Sequence, residues 1–224
     1  MNHANGAAVV FDIGGVLIDW NPRYLYRKIF GSDEAAMERF LSEVCTPVWN
    51  SRLDAGRPFA EAIAELMREY PEQADAIEAY RSRWDEMLGG AFPGSVEVMR
   101  ELRRANVPVY ALSNWSREMY SVTRSRFSFL DEFDGILISG DVGVGKPDPA
   151  IFREFLGRFG LVAASTVFID DSSANVAVAR SMGIGAIQFG SANQVRRDLI
   201  SRGFPLVARR PGDPSWAPDA TRQR

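Results

Sequence analysis

Apolar positions in this chain follow two different rhythms. Short, continuous apolar runs rich in β-branched residues occur at Ala7–Phe11 and then, far downstream, at Val107–Leu112, Gly135–Ser139, Thr166–Ile169 and Ala186–Phe189. Runs of this length, bounded by polar residues and glycines, predict buried strands. Helical spacing fills the gaps between the later runs. Pro149–Phe159, for example, sets Phe152, Phe155, Leu156 and Phe159 on one face. Strands alternating with helices predict a parallel sheet covered on both sides, that is, an α/β, Rossmann-like core.

The segment from Asn21 to Gly90 has a different texture. It carries no strand signal and three amphipathic helical stripes. Ser32 is placed to cap the first, with Asp33 and Glu34 in its opening turn and Met37, Phe40, Leu41 and Val44 along one side. A second starts near Pro58 and aligns Phe59, Ile63, Leu66 and Met67; a third aligns Ile77, Tyr80, Trp84 and Leu88. The expected organisation is a core formed by residues 1–20 and 91–208, with a helical cap, residues 21–90, inserted after the first strand. Pro22 on one side and Gly89, Gly90, Pro93 and Gly94 on the other mark the junctions and make a plausible hinge. Residues 209–224 place Pro211, Pro214 and Pro218 among polar residues and predict a disordered tail, with Trp216 as a candidate anchor.

Composition narrows the function classes. The 224 residues carry a net charge of −3, which does not favour nucleic acid or an anionic membrane as a partner. No run approaches the roughly 20 apolar residues of a membrane span, and no secretory leader pattern is present. Cys45 is the single cysteine, so an intrachain disulfide is excluded. It ends a helical stripe far from His3, the single histidine, and reads as a packing residue. The expected setting is the cytoplasm, with a small-molecule substrate and a monomer or homodimer.

The chemistry lies at the ends of the strand runs. In open parallel sheets, ligands bind outside the carboxyl ends of the strands. The first run ends in Asp12-Ile13-Gly14-Gly15-Val16, the second in Ser113-Asn114, and the fourth in Asp170-Asp171-Ser172; a loop after the third holds Lys146-Pro147. Asp12 can act as a nucleophile that splits one displacement into two. A carboxylate attacking a phosphate dianion needs a cation between the two charges, and magnesium takes oxygen ligands. Asp12, the carbonyl of Gly14, Asp171 and Asp170 are the candidate ligands. Ser113, Asn114 and Lys146 are the candidate phosphate holders.

In this order, these four motifs resemble those of the haloacid dehalogenase-like hydrolase superfamily, most of whose members are phosphatases. The resemblance runs from Val9 to about Val207. It implies that Asp12 is the nucleophile, that Ser113 and Lys146 hold phosphate, that Asp170 and Asp171, with Asn175 following, serve a magnesium site, and that the helical insert is a cap. One departure stands out. The superfamily's phosphatases usually carry a second aspartate two residues after the nucleophile as general acid, and Gly14 occupies that position here. Dehalogenases of the superfamily also lack that acid, but they need no magnesium and lack the acidic pair. The favoured expectation is therefore a magnesium-dependent phosphomonoesterase working through an aspartyl-phosphate on Asp12. A 2-haloacid dehalogenase is the alternative, and a non-catalytic phospholigand- or partner-binding protein is the third reading. Two explanations cover the missing acid: a leaving group good enough to need little protonation, as with an anomeric or acyl phosphate, or another acid, Asp19 or a residue of the cap, that supplies the proton. Trp49 and Arg57, the latter in the turn Asp54–Pro58, are expected to meet the substrate, and Trp20, Asn21 and Arg23 to flank the entrance.

Overall fold

A computed structural model describes residues 7–208; His3, Trp216 and the expected tail lie outside them. The chain enters strand β1 (Ala8–Phe11), turns through the Asp12 loop into β2 (Ile18–Trp20), and then runs through helices α1 (Arg23–Phe30), α2 (Glu34–Arg39), α3 (Pro47–Asp54), α4 (Phe59–Glu69) and α5 (Ala74–Ser82). It returns through β3 (Leu88–Ala91), α6 (Pro93–Arg104), β4 (Val109–Ser113), α7 (Arg117–Arg126), β5 (Gly135–Ile138) and the short α8 (Ser139–Val142). It finishes with α9 (Pro149–Phe159), β6 (Thr166–Asp170), α10 (Ser173–Ser181), β7 (Gly185–Gln188) and α11 (Ala192–Ser201).

The main sheet has the order β5-β4-β1-β6-β7 and is parallel throughout. All five expected strands form, each within two residues of its apolar run. Strand β1 is central, flanked by β4 and β6, and its four residues are buried. That burial explains why its sequence is continuously apolar rather than alternating. One consequence matters for function: the ends of β1, β4 and β6 lie side by side, and each carries a polar residue of the expected site.

The stretch between β2 and β3 is helical, with three differences from the sequence expectation. Asp33, not Ser32, caps α2: its carboxylate accepts from Ala36 N at 2.9 Å. The two neighbours are both good caps, and the chain places the carboxylate at the helix mouth. The stripe Met37–Val44 continues not as an α-helix but as a π-turn over Phe40–Val44, where Cys45 N donates to Phe40 O at 3.0 Å. Ser42 Oγ meanwhile donates to Glu38 O at 2.7 Å, an interaction that competes with the regular ladder. The third stripe ends its helix at Ser82; Trp84 sits in a 3₁₀ turn and Leu88 in β3.

A further element had no sequence signal. Strands β2 and β3 pair antiparallel as a two-stranded ribbon, Ile18 against Ala91 and Trp20 against Leu88. The two chain crossings between the main sheet and the helical stretch are thus bound to each other.

Cys45 is buried and its thiol is pushed up to about 12 by burial. Among the described residues, no helix is long and apolar enough to cross a membrane.

Candidate active site

Asp12 stands just past β1, and its N–H still bonds Ile169 O of β6 at 2.8 Å. Three donors converge on one of its oxygens. Ile13 N reaches Oδ1 at 2.7 Å, Ser113 Oγ at 2.6 Å and Lys146 Nζ at 3.0 Å. None of these three bonds involves Oδ2. The carboxylate is therefore held in one orientation through one oxygen.

Lys146 is buried, its side chain 1% exposed. Its ammonium donates to Asp170 Oδ2 at 2.7 Å and to Leu112 O at 2.8 Å. Burial disfavours its charge, yet Asp12 and Asp170 outweigh burial and hold its pKa above the ordinary value. Asp170 is fully buried. Besides Lys146, its carboxylate accepts from Ser172 N at 2.8 Å and from Asn175 Nδ2 at 3.0 and 3.1 Å. Asn175 rides on the first turn of α10, whose cap is Ser172.

Asn114 does something the sequence did not suggest. Its side-chain amide clamps the backbone of Lys146, accepting from Lys146 N at 2.7 Å and donating to Lys146 O at 2.8 Å. The expected phosphate holder thus fixes the loop that presents the lysine.

Asp12, Asp170 and Asp171 each offer an oxygen, and these atoms lie within 4.8 Å of one another. Three clustered carboxylates with one buried ammonium between two of them form an all-oxygen donor set of the kind a hard divalent cation takes. Without a cation, the proximity is unfavourable. The net effect holds the pKa of Asp12 well above the ordinary carboxylate range: burial raises it most, Lys146 pulls it down, Asp170 pushes it up, Ser113 lowers it, and Asp171 adds a smaller upward push. A cation placed among the three would relieve that repulsion.

These groups open into a cavity of about 380 Å³. Its floor is formed by Asp12, Gly14, Ser113, Asn114, Lys146, Asp171 and Asn175 at the sheet edge. Its roof is formed by Trp20 from β2, Asn50 and Asp54 from α3, and Trp84, with Trp115 at the side. The indoles of Trp20, Trp84 and Trp115 touch in series, with centroids 5.8 and 6.4 Å apart.

The structure does not bring all the expected residues to this cavity. Trp49 packs edge-on against Tyr80 at 5.0 Å, and Arg57 pairs with Glu65. Asp19 accepts from Tyr24 Oη at 2.5 Å, and Arg23 forks onto Glu38; neither lines the cavity. Asn21 turns back to accept from Arg23 N at 3.0 Å. Trp20 does line it. Asp54, Asn50, Trp84 and Trp115 were not singled out from sequence. Asp54 shares its turn with Arg57, and an acid two residues ahead of Gly56 is the signal the sequence offers for it.

Asp54 is fastened to the sheet side. Its carbonyl accepts from Ser139 Oγ at 2.5 Å, and Ser139 Oγ accepts from Trp115 N at 3.0 Å. Its carboxylate accepts from Asn50 Nδ2 at 2.9 Å. Gly140 lets the start of α8 lie against the Trp115–Arg117 backbone: a Cβ there would lie 2.6 Å from Arg117 N and 2.9 Å from Trp115 O.

Residues 7–183 match the family model described as a hydrolase, haloacid dehalogenase-like hydrolase. The chain belongs to the haloacid dehalogenase-like hydrolases. Relatives of this hydrolase include the Phosphorylated carbohydrates phosphatase of Thermotoga maritima, 30% identical over 190 residues, covering 80% of this chain and 83% of that protein. Drimenol cyclase drtB of Aspergillus calidoustus is 26% identical over 196 residues, 87% of this chain. The chain spans only 36% of that longer protein. Among solved structures, the hydrolase superposes on HAD family enzyme BT-2542 of Bacteroides thetaiotaomicron in complex with magnesium and inorganic phosphate, with a TM-score of 0.64 and 23% identity over 82% of this chain and 94% of that one. It also superposes on the L-2-haloacid dehalogenase of Xanthobacter autotrophicus with chloropropionic acid covalently bound, with a TM-score of 0.59 and 20% identity over 89% of this chain and 84% of that one. At these identities the structural likeness establishes the fold.

Proposed function

We propose that this hydrolase is a magnesium-dependent phosphomonoesterase that acts on a small phosphorylated metabolite through an aspartyl-phosphate on Asp12. The observation that carries this reading is the cluster of Asp12, Asp170 and Asp171, three carboxylate oxygens within 4.8 Å beside a buried lysine. An ester-forming attack on an uncharged carbon has no need of so much negative charge around the nucleophile, whereas attack on a phosphate dianion needs a cation between the charges and carboxylates to hold it. The name of the Thermotoga maritima relative points the same way.

In this reading, Asp12 Oδ2 attacks phosphorus while Oδ1 stays bonded to Ile13 N, Ser113 and Lys146. Ser113 and the backbone amides beside it hold phosphoryl oxygens, and Lys146 supplies fixed positive charge. Asp12, Asp171 and the Gly14 carbonyl would hold magnesium, which neutralises the phosphate and the carboxylate facing it. Asp170, committed to Lys146, Ser172 N and Asn175, positions the lysine. Trp20, Trp84 and Asp54 roof the substrate.

Gly14 keeps a second reading in view, a 2-haloacid dehalogenase forming an ester on Asp12, because a halide leaves without a proton. A parallel assay separates the two. Phosphate release across a phosphometabolite panel, with magnesium or with a chelator, is compared with chloride release from 2-chloropropionate, for wild type and Asp12→Asn. Chelator-sensitive phosphate release lost in Asp12→Asn is expected; chelator-insensitive halide release without phosphate release overturns the proposal.

A further inference from the structure

An alkyl phosphate leaves as an alkoxide unless a proton reaches its bridging oxygen, so an enzyme that cleaves it needs a donor at the cavity. Gly14 cannot supply one. Among the described residues lining the cavity, the side chains that titrate are Asp12, Asp54, Lys146 and Asp171. Asp12 is the nucleophile, and Asp171 belongs to the carboxylate cluster. Lys146 is tied to Asp12 at 3.0 Å and Asp170 at 2.7 Å, which favours its keeping the proton. Asp54 remains, contributed to the cavity wall by α3 rather than by the sheet edge.

Resting on the phosphatase reading, we propose that Asp54 is the general acid of this enzyme, donating the proton to the leaving oxygen from the helical roof in place of a residue next to Asp12. Three observations support the assignment. Asp54 is held at two points: Ser139 Oγ donates to its carbonyl and Asn50 Nδ2 donates to its carboxylate. The carboxylate contact is a donor, so it occupies a lone pair and leaves a protonated carboxyl its O–H to give. Asn50 is fixed in turn, since Tyr80 Oη donates to its Oδ1 at 2.7 Å and thereby directs its amide toward Asp54. The burial of Asp54 moves its pKa from 3.8 to about 7, opposed by Asn50 and Ser116, which suits a proton donor near neutrality.

The ionisable groups around Asp54 are few. Tyr80 faces it from α5, and its own pKa is driven up by burial, with Asp54 adding to the rise. Asp12, Lys146 and Asp171 face it across the cavity. On its other side, a second cavity of about 360 Å³ brings the Arg23–Glu38 pair and Cys45 to the same wall.

The proton balance closes over two steps. In the first, the Asp12–phosphorus bond forms, the bond from phosphorus to the ester oxygen breaks, and the Asp54 proton passes to that oxygen to release an alcohol. In the second, water attacks phosphorus and the Asp12–phosphorus bond breaks. One water proton goes to Asp54, and hydrogen phosphate leaves. Asp12 returns ionised and Asp54 protonated.

The test compares kcat/KM, which reports the first step, for p-nitrophenyl phosphate and for ethyl phosphate in wild type, Asp54→Asn and Asp54→Glu with magnesium present. Nitrophenolate needs little protonation and ethoxide much. For ethyl phosphate, Asp54→Asn should lose about 10²–10⁴-fold. Its loss for p-nitrophenyl phosphate should be far smaller, and Asp54→Glu should recover part of the ethyl phosphate activity. The fall in wild-type kcat/KM above neutral pH should be absent in Asp54→Asn. Equal losses for the two esters, or an unchanged alkaline limb, overturn the assignment while leaving the phosphatase reading intact. A wild type that hydrolyses neither ester overturns the phosphatase reading and this inference with it.

Discussion

The side-chain amide of Asn114 grips the backbone of Lys146 from both sides, accepting from its N–H at 2.7 Å and donating to its C=O at 2.8 Å. This bond pair spans the end of β4 and the loop carrying the lysine, so the position of the ammonium depends on a residue that need not touch it. Asn114→Ala should lower kcat by about 10²-fold, the cost typical of small misplacements. Asn114→Asp should do nearly as badly, because it keeps the acceptor and loses the donor. Steady-state kinetics on both variants, with thermal melts to show that they fold, check this.

Lys146 bears on the stability of the fold as well as on the proposed reaction. It lies between Asp12 and Asp170, both buried. Lys146→Met should destabilise the apo protein by about 3–5 kcal/mol, because it leaves buried carboxylates without their counter-charge. Added magnesium should recover part of the loss by supplying another cation. Urea unfolding with and without magnesium measures both effects.

Gly14 borders the cavity and has room for a side chain. A Cβ there would stand 3.4 Å from Trp115 Cζ3, an ordinary van der Waals contact. With the acid supplied by Asp54, Gly14→Asp should keep its stability within about 1 kcal/mol of wild type and show no gain in turnover. A rise in kcat for an alkyl phosphate would show that position 14 is where the acid belongs.

Asp54 leaves a signature in stability that does not depend on any substrate. Burial raises its folded-state pKa from 3.8 to about 7. The folded protein therefore holds this proton more tightly than the unfolded chain does. The stability contributed by the protonated carboxyl is fully present below about pH 4 and is lost as pH rises through about 7. Asp54→Asn cannot lose that contribution, so its stability relative to wild type should climb between pH 4 and pH 8 and level off above. Parallel denaturation curves across that range test the sign; a constant difference contradicts it.

Much of the core was legible because its physics is local. β1 is buried on both faces, so it had to be a continuous apolar run, and the polar residues at strand ends could be read one after another as Asp12, Ser113 and Asp170. The ribbon of β2 and β3 was not legible: its strands are three and four residues long, one contains Gly89 and Gly90, and its partners are far apart in sequence. Ser32 and Asp33 were equally good caps side by side, and only the helix mouth chose between them. Trp84 carried helical spacing but faces the cavity from a 3₁₀ turn. Asp54 was hidden for a different reason. Its place at the site depends on the helical roof docking through Ser139, and its acidity depends on burial, which no run of residues announces.

The central claim is that Asp12 is phosphorylated during turnover. The most direct measurement is mass spectrometry of the peptide containing Asp12, after rapid acid quenching of the magnesium-loaded enzyme during turnover of a phosphate ester. The account predicts a phosphoryl adduct on Asp12 in wild type that is absent from Asp12→Asn. Phosphate release with no adduct at any quench time, or an adduct on another residue, would contradict it.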